Sequence, residues 1–506
     1  MNNTYDEKLI KNRKKNAVAM TLTGFLFVAI SIICPFAIRT LMIYEMGDNY
    51  AGINTVLYSI ISILNMTELG LGSVIVYFLY DPVARGDIKD ICKYLNVLKK
   101  IYRFIALAVL IIGIAVIPFL KIVIKDDIPS DANLYSSYLF FLLSTIILYL
   151  GFPEAEMLFN AFQKGAIINS IKIVASIICY ALQVTAIIVI KSFLFYFIAI
   201  FVQSLVMIAL RCYFQKKYYP DIKAYGDVDS GEKSEIKKRV LSILGHQMDE
   251  KFLSSVDNVI LSYFCGLSVV TVYGNYMYVV SALGMFFIVM FNALTVTIGN
   301  AIVTESKESN YDRYKKIMFI NVSLVSWIFI TMSVVYNEFM TVWMGKRLLP
   351  LETVILFCLY FFVIQIRKTV VTFKNANGMW WDDRYKPYVS MVINLALDIY
   401  LVRIIGINGA LISSILCILL IEIPWETKVL FDRYFNKSMR LHFIKLFEGL
   451  VICVFGSWIA FSCCSFIRVE GMFLNFILHG FLCSILFGIP FCLICWKKGM
   501  LNWLKR

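Results

Sequence analysis

The sequence predicts an all-α polytopic membrane protein. About fourteen transmembrane helices are expected, arranged as two pseudo-symmetric six-helix bundles around a central cavity, with two extra C-terminal helices. Three observations lead there. Of 506 residues, 60% are hydrophobic and only 16% are charged, too little polar surface to cover water-soluble domains. Apolar stretches near the ~20 residues that span a hydrocarbon layer recur from end to end. When these are threaded through a bilayer, 40 of the 48 Lys and Arg residues fall on one side and eight on the other, and such an excess marks the cytoplasmic face.

The N-terminal MNNTYDEKLIKNRKKN places five cations before the first stretch, 17–38. That stretch is longer than a secretory h-region and has no small-residue cleavage site, so it reads as a retained helix. The rest follow at 51–80, 104–124, 134–152, 167–190, 193–210, 252–266, 269–303, 317–344, 351–373, 387–405, 407–427, 446–467 and 471–496, with 252–266 the weakest. The cations fall between alternate stretches: Arg85 to Arg103, Arg211 to Arg239, Lys307 to Lys316, Lys368 to Lys386, Lys428 to Lys445, and the tail from Lys497. Both termini are therefore expected in the cytoplasm of a bacterial cell. The net charge of +14 is a topology signal, and nucleic acid is not an expected partner.

Thirteen cysteines lie almost entirely in apolar stretches, where a thiol acts as a small hydrophobe. Cys492 and Cys495 form a C-x-x-C without a second pair or neighbouring histidines. With only His246, His442 and His479 besides, neither a metal centre nor a cofactor is expected.

Residues 44–54, YEMGDNYAGIN, echo 263–275, YFCGLSVVTVYGN, and LGSVI at 71–75 echoes IGNAI at 298–302. Both matches fall at the same place relative to a helix turn, so helices 1–6 and 7–12 read as two copies of one unit. The expected divisions are 1–235 (helices 1–6 and a cytoplasmic linker), 236–440 (helices 7–12) and 441–506 (helices 13–14 and a basic tail).

Polar groups in spans cost roughly 2.5–3.5 kcal/mol each when ionisable, and usually face a cavity or a partner. In helix 2, Asn54, Tyr58, Asn65, Glu68 and Gly72 fall within about 60° of one another. Extending helix 7 back to about 240 brings His246, Glu250, Ser254 and Asp257 onto one face. Helix 10 presents Gln365, Lys368, Thr369 and Thr372 together, with Arg367 pointing away. Arg39 sits in the outer part of helix 1. Mutual pairing would merely hold the lobes together; taken together, the groups suggest a hydrated, mixed-charge cavity of the kind that carries transport.

Residues 375–416, NANGMWWDDRYKPYVSMVINLALDIYLVRIIGINGALISSIL, resemble the helix 10 to helix 12 region of Gram-positive capsular repeat-unit flippases. Residues 256–305 resemble helices 7 and 8 of the same family, and ELGLGSVIVYFLYDPVARGD at 68–87 its helix 2 ending, although many members carry Asp where this chain has Glu68. The family belongs to the multidrug, oligosaccharidyl-lipid and polysaccharide exporter superfamily. The resemblance implies export of a polyprenyl-diphosphate-linked oligosaccharide from the inner to the outer leaflet, alongside the glycosyltransferases and polymerase of the same pathway. Glu68, Asp257, Asn275, Asn300, Arg367 and Gly378 match family positions.

For such a substrate the available diphosphate partners are Arg39, Lys251, Arg367 and Lys368. Donors for the sugars are Asn54, Tyr58, Asn65, Tyr273, Asn275 and Asn292, and Na⁺ or H⁺ is the candidate coupling ion, at Asp257 or Glu68. The rival readings are a drug or cation antiporter of the same fold, which would want an acidic cavity with few cations, and a membrane polymerase or ligase, which would want substantial outer loops.

The cation asymmetry predicts that Val228→Cys and Leu504→Cys, each as the single thiol, resist an impermeant maleimide in intact cells; labelling at either without permeabilisation refutes the topology.

Overall fold

The structure, a computed structural model, describes residues 2–65, 71–125, 128–151, 153–345, 347–467 and 469–497. Among the described residues there is no β-strand, and twelve helices are long and apolar enough to cross a membrane. These twelve coincide with twelve of the predicted stretches. The second stretch forms two shorter helices, Asp48–Leu64 and Leu71–Arg85. The seventh is the end of the 36-residue helix Ser230–Cys265, whose first half is rich in Lys and Glu.

Several helices begin well outside the apolar stretch that announced them. The Ile88–Val116 helix starts at its cap, where the Asp87 side chain accepts from the backbone N–H of Lys89 and Asp90, satisfying two orphan donors. Ile91, Leu95, Leu98 and Tyr102 are all buried, so this segment is amphipathic and folds on packing rather than on hydropathy. By the same logic the Lys307–Met344 helix starts at Ser306, which caps Ser309. The expected linker 211–239 shrinks to 219–229, because Phe193–Tyr218 and Ser230–Cys265 run into it from both sides. In that loop Asp227 accepts from Lys100 (2.6 Å), and this bond holds its carboxyl below the ordinary aspartate range.

The chain divides into two compact units, Met1–Thr271 and Val272–Arg506. In the first, Leu134–Leu150 packs on Phe193–Tyr218 and the first helix on Gly165–Thr185. The Ser230–Cys265 helix, which the repeat reading assigns to the second lobe, packs here against Asp48–Leu64. Asn258 donates to Ser59 Oγ (3.0 Å) and Ser262 Oγ to the Val123 carbonyl (3.1 Å). In the second unit, Lys307–Met344 is the hub, touching Leu351–Ala376, Arg440–Phe466 and Met472–Cys483.

The echoed turns have matching backbones: Gly47 at φ 106°, ψ 171° and Gly266 at φ 90°, ψ 171°, conformations that a side chain would strain. They also meet. Thr271 Oγ1 donates to the Asp48 carbonyl (2.7 Å), and Gly52 lies so near Leu267 that a Cβ would stand 2.5 Å from its carbonyl oxygen. Backbone cannot yield as a flexible side chain does, so Gly52→Ala should destabilise by ~1–3 kcal/mol. A melt in detergent as high as that of the parent protein would show that these turns do not touch.

Candidate functional site

The structure sorts the sequence-predicted residues by what surrounds them. Two of the expected phosphate cations are engaged in structural work. Arg39 donates to Thr55 Oγ1 (3.0 Å) and to the Thr271 carbonyl (3.1 Å), clamping the first two helices to the start of the Leu267–Thr304 helix. Arg367 donates through Nε and Nη2 to both oxygens of Glu426 (2.7 Å each) and through Nη1 pairs with Glu422. Lys386 lies 3.1 Å and Lys374 3.6 Å from Glu426, and Lys374 pairs with Asp383. All except Arg367 are at most 1% exposed. Three cations therefore meet three carboxylates, and Arg367 faces glutamates rather than a cavity.

Local sequence explains how the glutamates converge. Pro424 has no N–H and its ring crowds the carbonyl four residues back. The helix accommodates it with a wider π turn at Ile418–Glu422 before Ile423–Leu430, and Glu422 and Glu426 both reach Arg367.

The helix 10 polar face is partly an adhesive seam. Asn321 donates to Thr369 Oγ1 (2.9 Å) and to the Gln365 carbonyl (2.8 Å), all buried. Lys368, half-buried, reaches the Gly284 carbonyl at 3.4 Å. Asn275, in the second unit, and Asp257, in the first, are fully buried. Lys251, Asn292 and Asn300 are exposed and Asn54 is half-buried. Tyr58 stands edge-on to Phe141, ring centroids 4.6 Å apart. Glu68 lies outside the described residues, as do the side chains of His246, Glu250 and Ser254.

Asn65 leads to a group that sequence reasoning missed. It lines a cavity of about 160 Å³ in the first unit with Tyr102, Thr145, Tyr149, Glu156 and Arg211, and its Oδ1 accepts from Tyr149 (3.0 Å). Glu156 receives Lys172 Nζ on Oε1 (2.6 Å) and Arg211 Nη2 on Oε2 (2.7 Å). The short helix Pro153–Ala161 sets Glu154 and Glu156 about 200° apart, so buried Glu154 turns instead to Lys99 (3.4 Å). Burial pushes the Glu156 carboxyl up, but Lys172 and Arg211 outweigh it and hold it below the ordinary range. The signal in the sequence was PEAEM at 153–157, two acids between apolar stretches, with Lys172 inside the next one.

Solved structures share this architecture. The lipid II flippase MurJ in an inward closed conformation aligns over 94% of this chain and 98% of its own, at 12% identity and a TM-score of 0.65. An inward-facing multidrug resistance MATE family transporter of the MOP superfamily aligns over 78% and 93%, at 10% and 0.63. A MOP superfamily transporter from Pyrococcus furiosus aligns over 84% and 97%, at 11% and 0.56. The chain has a MATE-like fold. No protein-family model and no curated protein matches its sequence. At 10–12% identity the likeness is one of fold, and every one of these three neighbours is a transporter or flippase.

Glu426→Ala would leave buried cations unmatched and should cost ~3–5 kcal/mol, seen as a large drop in melting temperature, whereas Lys223→Ala, at an exposed loop position, should stay within about 0.5 kcal/mol. Equal melts for the two variants would remove the ion cluster from the account of stability.

Proposed function

We propose that the protein moves a polyprenyl-diphosphate-linked oligosaccharide from the inner to the outer leaflet of a bacterial cell membrane, for capsule or other envelope polysaccharide. The observation that carries the reading is the extent of the likeness. The lipid II flippase aligns over 94% of this chain, the MATE transporter over 78%, so the flippase accounts for more of what this chain has. The resemblance of residues 375–416 to capsular repeat-unit flippases points the same way.

Charge favours it over a cation antiporter, which remains the second reading because MATE transporters share the fold. In the first unit the group around Glu156 pairs one carboxylate with two cations, an arrangement suited to an anion. Asn54, Tyr58 and Asn65 of the same unit supply amide, hydroxyl and aromatic surface for sugars. Moving about two negative charges outward across a cell-negative potential of ~100 mV releases roughly 4–5 kcal/mol, so the substrate itself runs downhill. Glycosyltransferases would supply that substrate and a polymerase consume it. Na⁺ or H⁺ at Asp257 or Glu68 would be needed only to reset the empty carrier.

In proteoliposomes holding a polyprenyl-diphosphate disaccharide, active protein should expose the sugar to a glycosidase on the far side, several-fold more slowly when valinomycin and K⁺ set the potential to zero. Asp257→Asn should retain most of this rate; its failure with the potential intact would make the carrier ion-coupled. Efflux of a cationic dye with no movement of the lipid would replace the proposal with the antiporter.

A further inference from the structure

We propose that the 160 Å³ cavity beside Asn65 is a binding site for a phosphate group. The flippase reading supplies only the expected bearer of that group, a polyprenyl diphosphate; the chemistry of the pocket stands without it.

The argument is one of matched and unmatched charge. Glu156 is the one acid among the described residues that line the cavity, and each of its oxygens already holds a cation, Lys172 on one and Arg211 on the other. Among the described residues the group carries one positive charge in excess. A staple between the Pro153–Ala161, Gly165–Thr185 and Phe193–Tyr218 helices would need no such surplus, and Arg211, the more deeply buried of the two cations, shares its carboxylate with Lys172. Arg211 is 7% exposed, and its Nε is buried with no acceptor among the described residues. Asn65, Tyr102 and Thr145 line the same cavity. The volume is several times what one water needs, enough for a phosphate. By the charge pattern, Arg211 lies at the cytoplasmic end, where a lipid-linked substrate begins its crossing.

The test uses full-length protein in neutral phosphatidylcholine nanodiscs. One arm titrates inorganic diphosphate by calorimetry; the other adds a C55 polyprenyl diphosphate to the disc and follows its retention by native mass spectrometry. Arg211→Gln should weaken binding roughly tenfold to a hundredfold, the range for a charge-assisted hydrogen bond. Glu156→Gln removes the carboxylate, leaves both cations, and should tighten it. Arg211→Lys keeps the charge without the planar fork and should fall between. These opposite signs separate an anion site from a helix staple, for which both Gln variants lower the melting temperature and neither moves binding. Should Arg211→Gln not fold, Glu156→Gln and Arg211→Lys decide alone.

Binding of the lipid but not of inorganic diphosphate supports a site for the lipid-borne group; binding of both supports a site open to free phosphates as well. Absence of binding in both arms, or affinities that ignore the substitutions in folded protein, overturns the proposal. If diphosphate binding follows the substitutions while lipid movement fails in proteoliposomes, the flippase reading falls and the phosphate site remains.

Discussion

Taking a charged side chain out of water costs several kcal/mol unless a partner matches it, and each unit of this protein gathers such charges at one place. In the second unit, Arg367, Lys374 and Lys386 meet Glu422, Glu426 and Asp383, a group that sums to zero among the ion pairs of the described residues. Neutrality lets it hold the Leu351–Ala376 helix, the turn after it and the Ile423–Leu430 helix as one block. In the first unit, Glu156 meets two cations, and the sum over the described residues is positive. The contrast separates two uses of the same chemistry: a closed cluster consolidates helices, and an open one has capacity left for an anion.

A second constraint is close backbone approach. Without hydrophobic drive between lipid-embedded helices, packing depends on small residues that let surfaces touch. Gly52 against Leu267, Gly449 against Val322 and Phe362, and Gly456 against Ile330 are such points. The last two seat the Arg440–Phe466 helix, which lies outside the sequence echo, on the Lys307–Met344 hub. Arg39 reinforces the first, so its removal would loosen the turn it clamps before it touched any ligand.

Much of the fold was legible because the bilayer is a demanding solvent: length and hydropathy are local properties, and they located the twelve helices among the described residues that are long and apolar enough to span a membrane. Gly47 and Gly266 were legible as echoed turns because a positive φ selects glycine at a fixed place in the repeat. Helix starts such as Ile88 and Lys307 were not, since caps and amphipathic faces hide behind polar residues that hydropathy counts as loop.

The candidate site divides along the same line. Sequence alone determined that Gln365 and Arg367 lie in a stretch long and apolar enough to span, because insertion cost depends on the residue and its segment. Tertiary structure decided what each one meets: Arg367 two glutamates, Gln365 and Thr369 the amide of Asn321, Asn65 a cavity shared with Arg211. Periodicity places a side chain on a helix face but not opposite a partner 59 residues away, as Arg367 is from Glu426. Whether a buried charge is spent or available is a property of the pair, and pairs exist only once the helices have packed.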